Sequence, residues 1–308
     1  MILAPMQGLT EVLFRRVYEE CFPGAIGRAV SPFIALTRNM SFTRGNGQIS
    51  DVLPENNVGS IPVTPQILGR EVDEFIALSN RLYDLGYREV NWNMGCPMRR
   101  VAAKHRGSGI LPYPEEVRGV LERVIPAMRG ELSVKVRLGL KEREEVFRLV
   151  PVLNDYPLAS VTIHPRLGRQ GYGGRCDLET FGEVLGLLRA PVVYTGDIVT
   201  AGDARRLRER FPRVADLLVG RGVLYNPLLP VEIATGVSGD SGRARRFIGR
   251  LMEEVVLRMP TEGSRMRKMK EYWCLLWKSL PISEVQAREV LRQEKLTVVE
   301  KMIYAFLQ

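Results

Sequence analysis

Cysteine is scarce in this chain and histidine scarcer still: 308 residues hold four of the first and two of the second. Cys21, Cys96, Cys176 and Cys274 lie far apart and form no CxxC pair. That spacing argues against a disulfide framework or a zinc knuckle and predicts reduced thiols with no bound metal. No apolar run approaches the roughly 18 residues that cross a bilayer. The opening MILAPMQGLT has neither the basic start nor the apolar stretch of a secretory leader. A cytoplasmic monomer without membrane association is expected. Repeats of solenoid length and low-complexity tracts are also missing.

What is present is apolar and basic. With 45% hydrophobic residues and a mean hydropathy of -0.07, the chain can bury a full-sized core. Lys and Arg number 44 against 35 Asp and Glu, a net charge of +9 and a pI near 9.6. A surplus of this size points to an anionic partner, nucleic acid foremost. Residues 240–308 carry 14 Lys and Arg against 9 Asp and Glu, more than half the surplus in under a quarter of the chain. The tail is where that partner is expected to touch.

Short apolar runs alternate with amphipathic stretches as far as residue 235. Strands are predicted at Ile2–Met6, Ala25–Val30, Val63–Leu68, Glu89–Asn93, Ser133–Leu138, Ser160–His164, Pro191–Thr195 and Asp216–Val219. Helical patterns separate most of them, among them Glu71–Leu85, Glu115–Met128, Glu142–Asn154, Leu178–Leu188 and Ala201–Glu209. Strand and helix in alternation imply a parallel sheet, and eight such units predict a TIM (β/α)8 barrel over residues 1–235. Residues 31–61, rich in Gly, Pro and Asn, read as a long excursion over the barrel mouth that helps shape the site. Gly236–Gly242 reads as a linker, and 243–308 as a small all-α bundle with helices at Arg243–Met259, Ser264–Ser279 and Ser283–Phe306. Trp273, Leu276, Trp277 and Leu280 are expected in its core.

In a barrel of this kind, functional groups project from the C-terminal ends of the strands. Those ends carry Pro5 and Met6, Gln66, Asn93 and Cys96, Lys135 and Arg137, His164 and Arg166, Gly196 and Asp197, and Gly220 and Arg221. In Ser133-Val-Lys-Val-Arg137, period-two alternation sends Val134 and Val136 outward and leaves Lys135 and Arg137 inside the mouth. Two enclosed cations require an anion or an electron-rich ligand. The glycine turns Gly196-Asp197 and Gly220-Arg-Gly222 follow the last two strands, where barrels commonly bind phosphate, so a phosphorylated ligand is implied. His164 reads equally as a site residue or a buried structural histidine.

Asn91-Trp-Asn-Met-Gly-Cys96-Pro97 ends the fourth strand, and a cysteine held between Gly and Pro is expected to be displayed rather than packed. Such a thiol could serve as an acid, a nucleophile or a metal ligand.

Seven segments in order, Ala4-Pro-Met-Gln-Gly-Leu-Thr10, Pro65-Gln-Ile-Leu-Gly69, Asn91–Pro97, Lys135-Val-Arg-Leu-Gly139, His164-Pro-Arg166, Thr195-Gly-Asp-Ile198 and Gly220-Arg-Gly222, resemble the tRNA-dihydrouridine synthases. The likeness covers nearly the whole chain. It implies a barrel holding FMN that reduces the 5,6 double bond of a uridine in folded RNA, most often tRNA, with NADPH as electron source. It further implies that Pro5, Met6, Gln7, Gln66, Lys135 and His164 line the flavin. By the same likeness, Thr195, Gly196, Asp197, Gly220 and Arg221 hold its tail and phosphate. Asn93, Arg137, Arg166 and Tyr172 would orient the uracil, and Cys96 would donate a proton to C5. Arg99, Arg100, Lys104, Arg106 and the C-terminal helices would meet the RNA backbone. Thr195 stands where the family often has Asn, Pro165 where Gly is common, and Leu167 where Thr is usual. The competing readings are a flavin barrel on a small molecule, like dihydroorotate dehydrogenase, a synthase acting on ribosomal RNA, a Schiff-base aldolase using Lys135, and a non-catalytic RNA-binding module.

Overall fold

A computed structural model describes residues 1–37 and 46–308. Its strands are β1 Ile2–Leu3, β2 Arg28–Val30, β3 Ile34–Ala35, β4 Val63–Thr64, β5 Gln66–Leu68, β6 Glu89–Met94, β7 Glu131–Gly139, β8 Val161–Leu167, β9 Val192–Tyr194 and β10 Asp216–Val219. All pairings are parallel, in the order β3-β5-β6-β7-β8-β9-β10-β1-β2-β4. The third strand expected from the sequence is split at Pro65, which has no N–H to give to a ladder. On one side of the break Val63 pairs with Ala29, and on the other Gln66 pairs with Asn91. The Pro65 carbonyl still accepts the Asn91 N–H at 2.8 Å. Because Pro65 joins β4 to β5, the sheet closes on itself as the expected eight-unit barrel. β3 is an additional short strand from the excursion, laid against β5.

The alternation expected in β7 holds. Val134 and Val136 are fully buried in the outer layer against the helices, while Lys135 and Arg137 point into the barrel mouth. Ile2, Ala4, Val30, Val193 and Leu218 form a second, smaller apolar cluster within the barrel. Each such buried aliphatic stabilises the fold by about 1.5–3 kcal/mol. The crossover helices fall where the pattern placed them: Val72–Asp84, Pro114–Ala127, Glu144–Asn154, Leu178–Leu187 and Ala201–Arg210. Thr200 caps the last of these, accepting the Asp203 N–H while Asp203 accepts the Thr200 N–H.

Beyond the barrel lie four helices rather than three: Ser241–Arg258, Glu262–Leu276, Glu284–Arg292 and Leu296–Leu307. The stretch expected as one helix from Ser283 to Phe306 breaks at Gln293, whose backbone is extended and whose carbonyl is taken by the Lys270 ammonium. No Gly or Pro marks that break, so the local pattern could not show it. Trp273 is buried as expected, stacked on Phe306 and bonded through Nε1 to the Ala287 carbonyl at 3.1 Å. Phe247 packs on Phe14 and Tyr18 of the first barrel helix, Val12–Cys21, and on Phe22, which caps it. One apolar core therefore runs from the barrel into the helical region. Among the described residues no helix is long and apolar enough to cross a membrane.

Candidate functional site

Every site residue singled out in the sequence except Arg166 and Asp197 lines one cavity of about 330 Å³ at the C-terminal ends of the strands. The closed barrel brings them together, since β1, β5, β6, β7, β8, β9 and β10 all end at that mouth.

Gln66 and Asn93 line the cavity and belong to a hydrogen-bonded chain of four polar side chains. The Gln66 amide donates to Asn91 Oδ1 at 2.7 Å and accepts from Asn93 Nδ2 at 2.7 Å. Asn91 in turn donates to Ser133 Oγ at 2.9 Å. Gln66 is completely buried, and among the described residues one of its two Nε2 hydrogens has no partner, so it can serve a ligand. Asn93 Oδ1 accepts the N–H groups of Gly95 at 3.0 Å and Cys96 at 2.9 Å.

Cys96 is not displayed. It is only 9% exposed, because the turn Gly107–Ile110 folds over it. The Ser108 N–H and Oγ each reach the Cys96 carbonyl at 3.0 Å. The thiol faces the cavity rather than solvent. Burial pushes its pKa up, while the Met98 N–H and the Lys135, Arg137 and Arg100 charges pull it back less strongly.

Lys135 opens onto the cavity, and among the described residues no group accepts from its ammonium. Lys135 is half-buried, and the desolvation of its ammonium, with the Arg137 charge, lowers its pKa to about 7. Arg137 is anchored by the carbonyls of Gly95 at 2.9 Å, Leu167 at 3.0 Å and Gly171 at 2.7 Å. Burial lowers its pKa too, to about 10, well above neutrality. Tyr172 stands at the rim with the Arg221 guanidinium 4.9 Å and the Arg137 guanidinium 5.8 Å from its ring centre.

Arg166 lies behind the wall. Its guanidinium holds the carbonyls of Gly173 and Gly174, the Asp197 carboxylate, and His164 Nε2 at 3.1 Å. A guanidinium can only donate, so His164 accepts at Nε2 and carries its proton on Nδ1. Burial and four nearby cations drive the His164 pKa far below the usual histidine range, which keeps the ring neutral. Asp197 also meets Arg221 at 3.3 Å, so its carboxylate is already paired.

Pro32 and Phe33 line the cavity as well, at the end of β2, where no residue was singled out. Reading that strand past Val30 would have found them. The rest of the excursion packs on the barrel through Asp51, which pairs with the buried Arg15 at 3.1 Å; its residues 38–45 lie outside the described residues. Arg106, expected to face RNA, is tied to Glu71, and His105 stacks on Tyr113 with its ring centre 4.2 Å away. Arg99, Arg100 and Lys104 stay exposed. Among the described residues no three His, Cys, Asp or Glu gather as a metal site would require.

Solved structures of similar fold include an old yellow enzyme homologue from Zymomonas mobilis, with a TM-score of 0.55 and 14% identity, covering 78% of this chain and 89% of that one. The old yellow enzyme from Trypanosoma cruzi matches with a TM-score of 0.55 and 10% identity, over 82% of this chain and 93% of that one. At such identities the likeness concerns the fold alone. Sequence relatives say more. The tRNA-dihydrouridine(16) synthase of Pseudomonas putida is 24% identical over 310 residues, 98% of this chain and 95% of that protein. The tRNA-dihydrouridine synthase B of Pasteurella multocida is 26% identical over 242 residues, 78% of this chain and 70% of that protein. The family model for dihydrouridine synthase matches residues 2–300, and the chain belongs to the dihydrouridine synthase family.

Proposed function

We propose that this protein reduces the 5,6 double bond of a uridine in tRNA to 5,6-dihydrouridine, using FMN held in the barrel-mouth cavity and NADPH as the electron source. The observation that carries the reading is one cavity shared by a Lys135 ammonium with no partner among the described residues and a buried Cys96 thiol whose pKa is raised. A flavin fits the donor set. The spare N–H of Gln66 suits a ring acceptor, and the Lys135 cation suits the electron-rich edge of a reduced ring. The Nδ1–H of His164 is a further donor. Arg221 and the glycine turns at Gly196 and Gly220 suit the phosphate tail. When bound, FMN supplies the hydride that adds to C6 of the uracil.

The chain's own residues do the rest. Cys96 gives its proton to C5, and the raised thiol pKa keeps that proton available at neutral pH. Arg137, fixed by three carbonyls, directs positive charge toward the uracil oxygens on which negative charge develops. Asn93 holds the Cys96 backbone and so sets the thiol. The uridine must leave its stack to enter, at a cost of a few kcal/mol. Arg99, Arg100, Lys104 and the cations of the helical region offset that cost through the RNA backbone.

The relative matched across the helical region, over 98% of this chain, is named for position 16, which makes that position the first to test. Dihydrouridine should be mapped in tRNA from cells with and without the gene, and the purified protein examined for flavin absorbance. Loss of one dihydrouridine on deletion, with a yellow protein, is the expected result. A colourless protein that takes up no FMN, or an unchanged tRNA map, would sink the proposal.

A further inference from the structure

The helical region reaches the wall of the cavity at the turn Gln7–Gly8. Pro5, Met6, Gln7 and Leu9 line the cavity from one side. The turn is braced internally by Thr10, whose Oγ1 accepts the Met6 N–H at 2.8 Å and donates to the Ala4 carbonyl at 2.9 Å. From behind, the Lys268 ammonium donates to the Gly8 carbonyl at 2.7 Å. Lys268 belongs to the helix Glu262–Leu276, some 260 residues later in the chain.

Two carboxylates share that ammonium, Glu271 at 2.9 Å and Glu11 at 3.3 Å. Glu11 also accepts the Gly8 N–H, at 3.2 Å. Both polar groups of the Gly8 peptide are thus fixed by one charge cluster, whose central cation is only 14% exposed. Gly8 has φ of 78°, in the left-handed region, and a Cβ there would overlap the Glu271 carboxylate. The turn and the helix fit against each other with no room to spare. Without Lys268, Glu11 and Glu271 would face each other unneutralised beside the Gly8 carbonyl, which would lose its donor.

We infer that Lys268 is a positioning residue for the cofactor: it holds the Gln7–Gly8 turn in the shape that contacts FMN, so the C-terminal helical region completes the cavity as well as carrying basic surface. This rests on the flavin reading above. The helical region accordingly braces a wall of the cofactor site from behind.

The test compares the full-length protein with Lys268→Met, Lys268→Arg and, as a control on the exposed face of the last helix, Lys301→Met. Two quantities are read: amide hydrogen exchange in the peptide spanning residues 5–10, and FMN affinity from flavin fluorescence. Lys268→Met should speed exchange in that peptide and weaken FMN binding by about tenfold, as expected for loss of a charged hydrogen bond. Lys268→Arg should recover part of both, and Lys301→Met should match wild type. Should Lys268→Met fail to fold, Glu271→Ala should shift the same two quantities less. Unchanged exchange in the turn overturns the brace itself, and faster exchange with unaltered FMN affinity overturns its role in cofactor binding. A wild type that shows the brace in exchange but takes up no FMN overturns the flavin reading instead.

Discussion

The side-chain carbonyl of Asn93 accepts the backbone N–H of Cys96 at 2.9 Å, so the end of a barrel strand helps position the thiol along with the turn that covers it. Asn93→Ala would leave the N–H groups of Gly95 and Cys96 and the Gln66 oxygen buried without partners. At about 1–3 kcal/mol for each unsatisfied buried group, a loss of at least about 3 kcal/mol in urea denaturation is expected. A loss under about 0.5 kcal/mol would show that the hydrogen-bonded chain is held some other way.

Cys96→Ala should cut dihydrouridine formation by at least about a hundredfold, the usual worth of a positioned acid, while flavin binding persists. Because burial raises the thiol pKa, wild-type turnover should hold through neutrality and fall only on the alkaline side as the proton is lost. Full activity in the alanine variant would remove Cys96 from the mechanism.

Lys135 gives a pH signature in the cofactor-free protein. Its pKa drops from 10.5 to about 7 on folding. Between those values the unfolded chain holds a proton that the native protein has lost, so stability rises with pH across that window. Thermal unfolding from about pH 7 to 10 should show this rise in wild type relative to Lys135→Met, which lacks the group. Parallel curves for the two proteins would contradict the assignment.

Gly107 has φ of 55°, and a Cβ there would come within 2.8 Å of the Cys96 Cβ and 2.7 Å of its carbonyl oxygen. Gly107→Ala should cost about 1–3 kcal/mol through backbone strain and should displace the thiol. Turnover should fall further than FMN affinity, and equal losses in both would point to general unfolding.

Arg15 is completely buried, and its guanidinium meets the Asp51 side chain and carbonyl, the Thr10 carbonyl and Asn57 Oδ1. Asp51→Ala strands that charge and should destabilise the protein by about 3–5 kcal/mol. Replacing both partners with apolar residues should recover much of the loss. If the double variant is no better than the single one, the pair does not act as a unit.

Much of this was legible in the chain. The strands of the barrel and its crossover helices follow from apolar period and spacing, and reading the strand ends located most of the cavity lining. Two features escaped for the same physical reason. Cys96 looks displayed because Gly and Pro flank it, yet Ser108 draws a second turn over it. Ser283–Phe306 looks like one helix because nothing in it is a breaker, yet Lys270 binds the Gln293 carbonyl and the chain turns.

By itself the sequence determined the barrel, the basic tail and which residue types stand at the mouth, since strand period and strand ends are local properties. Only the tertiary structure decided how these residues act on one another. Closure of the sheet turns Lys135 into the cavity, and the turn carrying Ser108 buries Cys96. Long-range packing sets Lys268 behind Gly8. Burial and neighbouring charge, which depend on contacts between distant segments, are what shift the Lys135 and Cys96 pKa values.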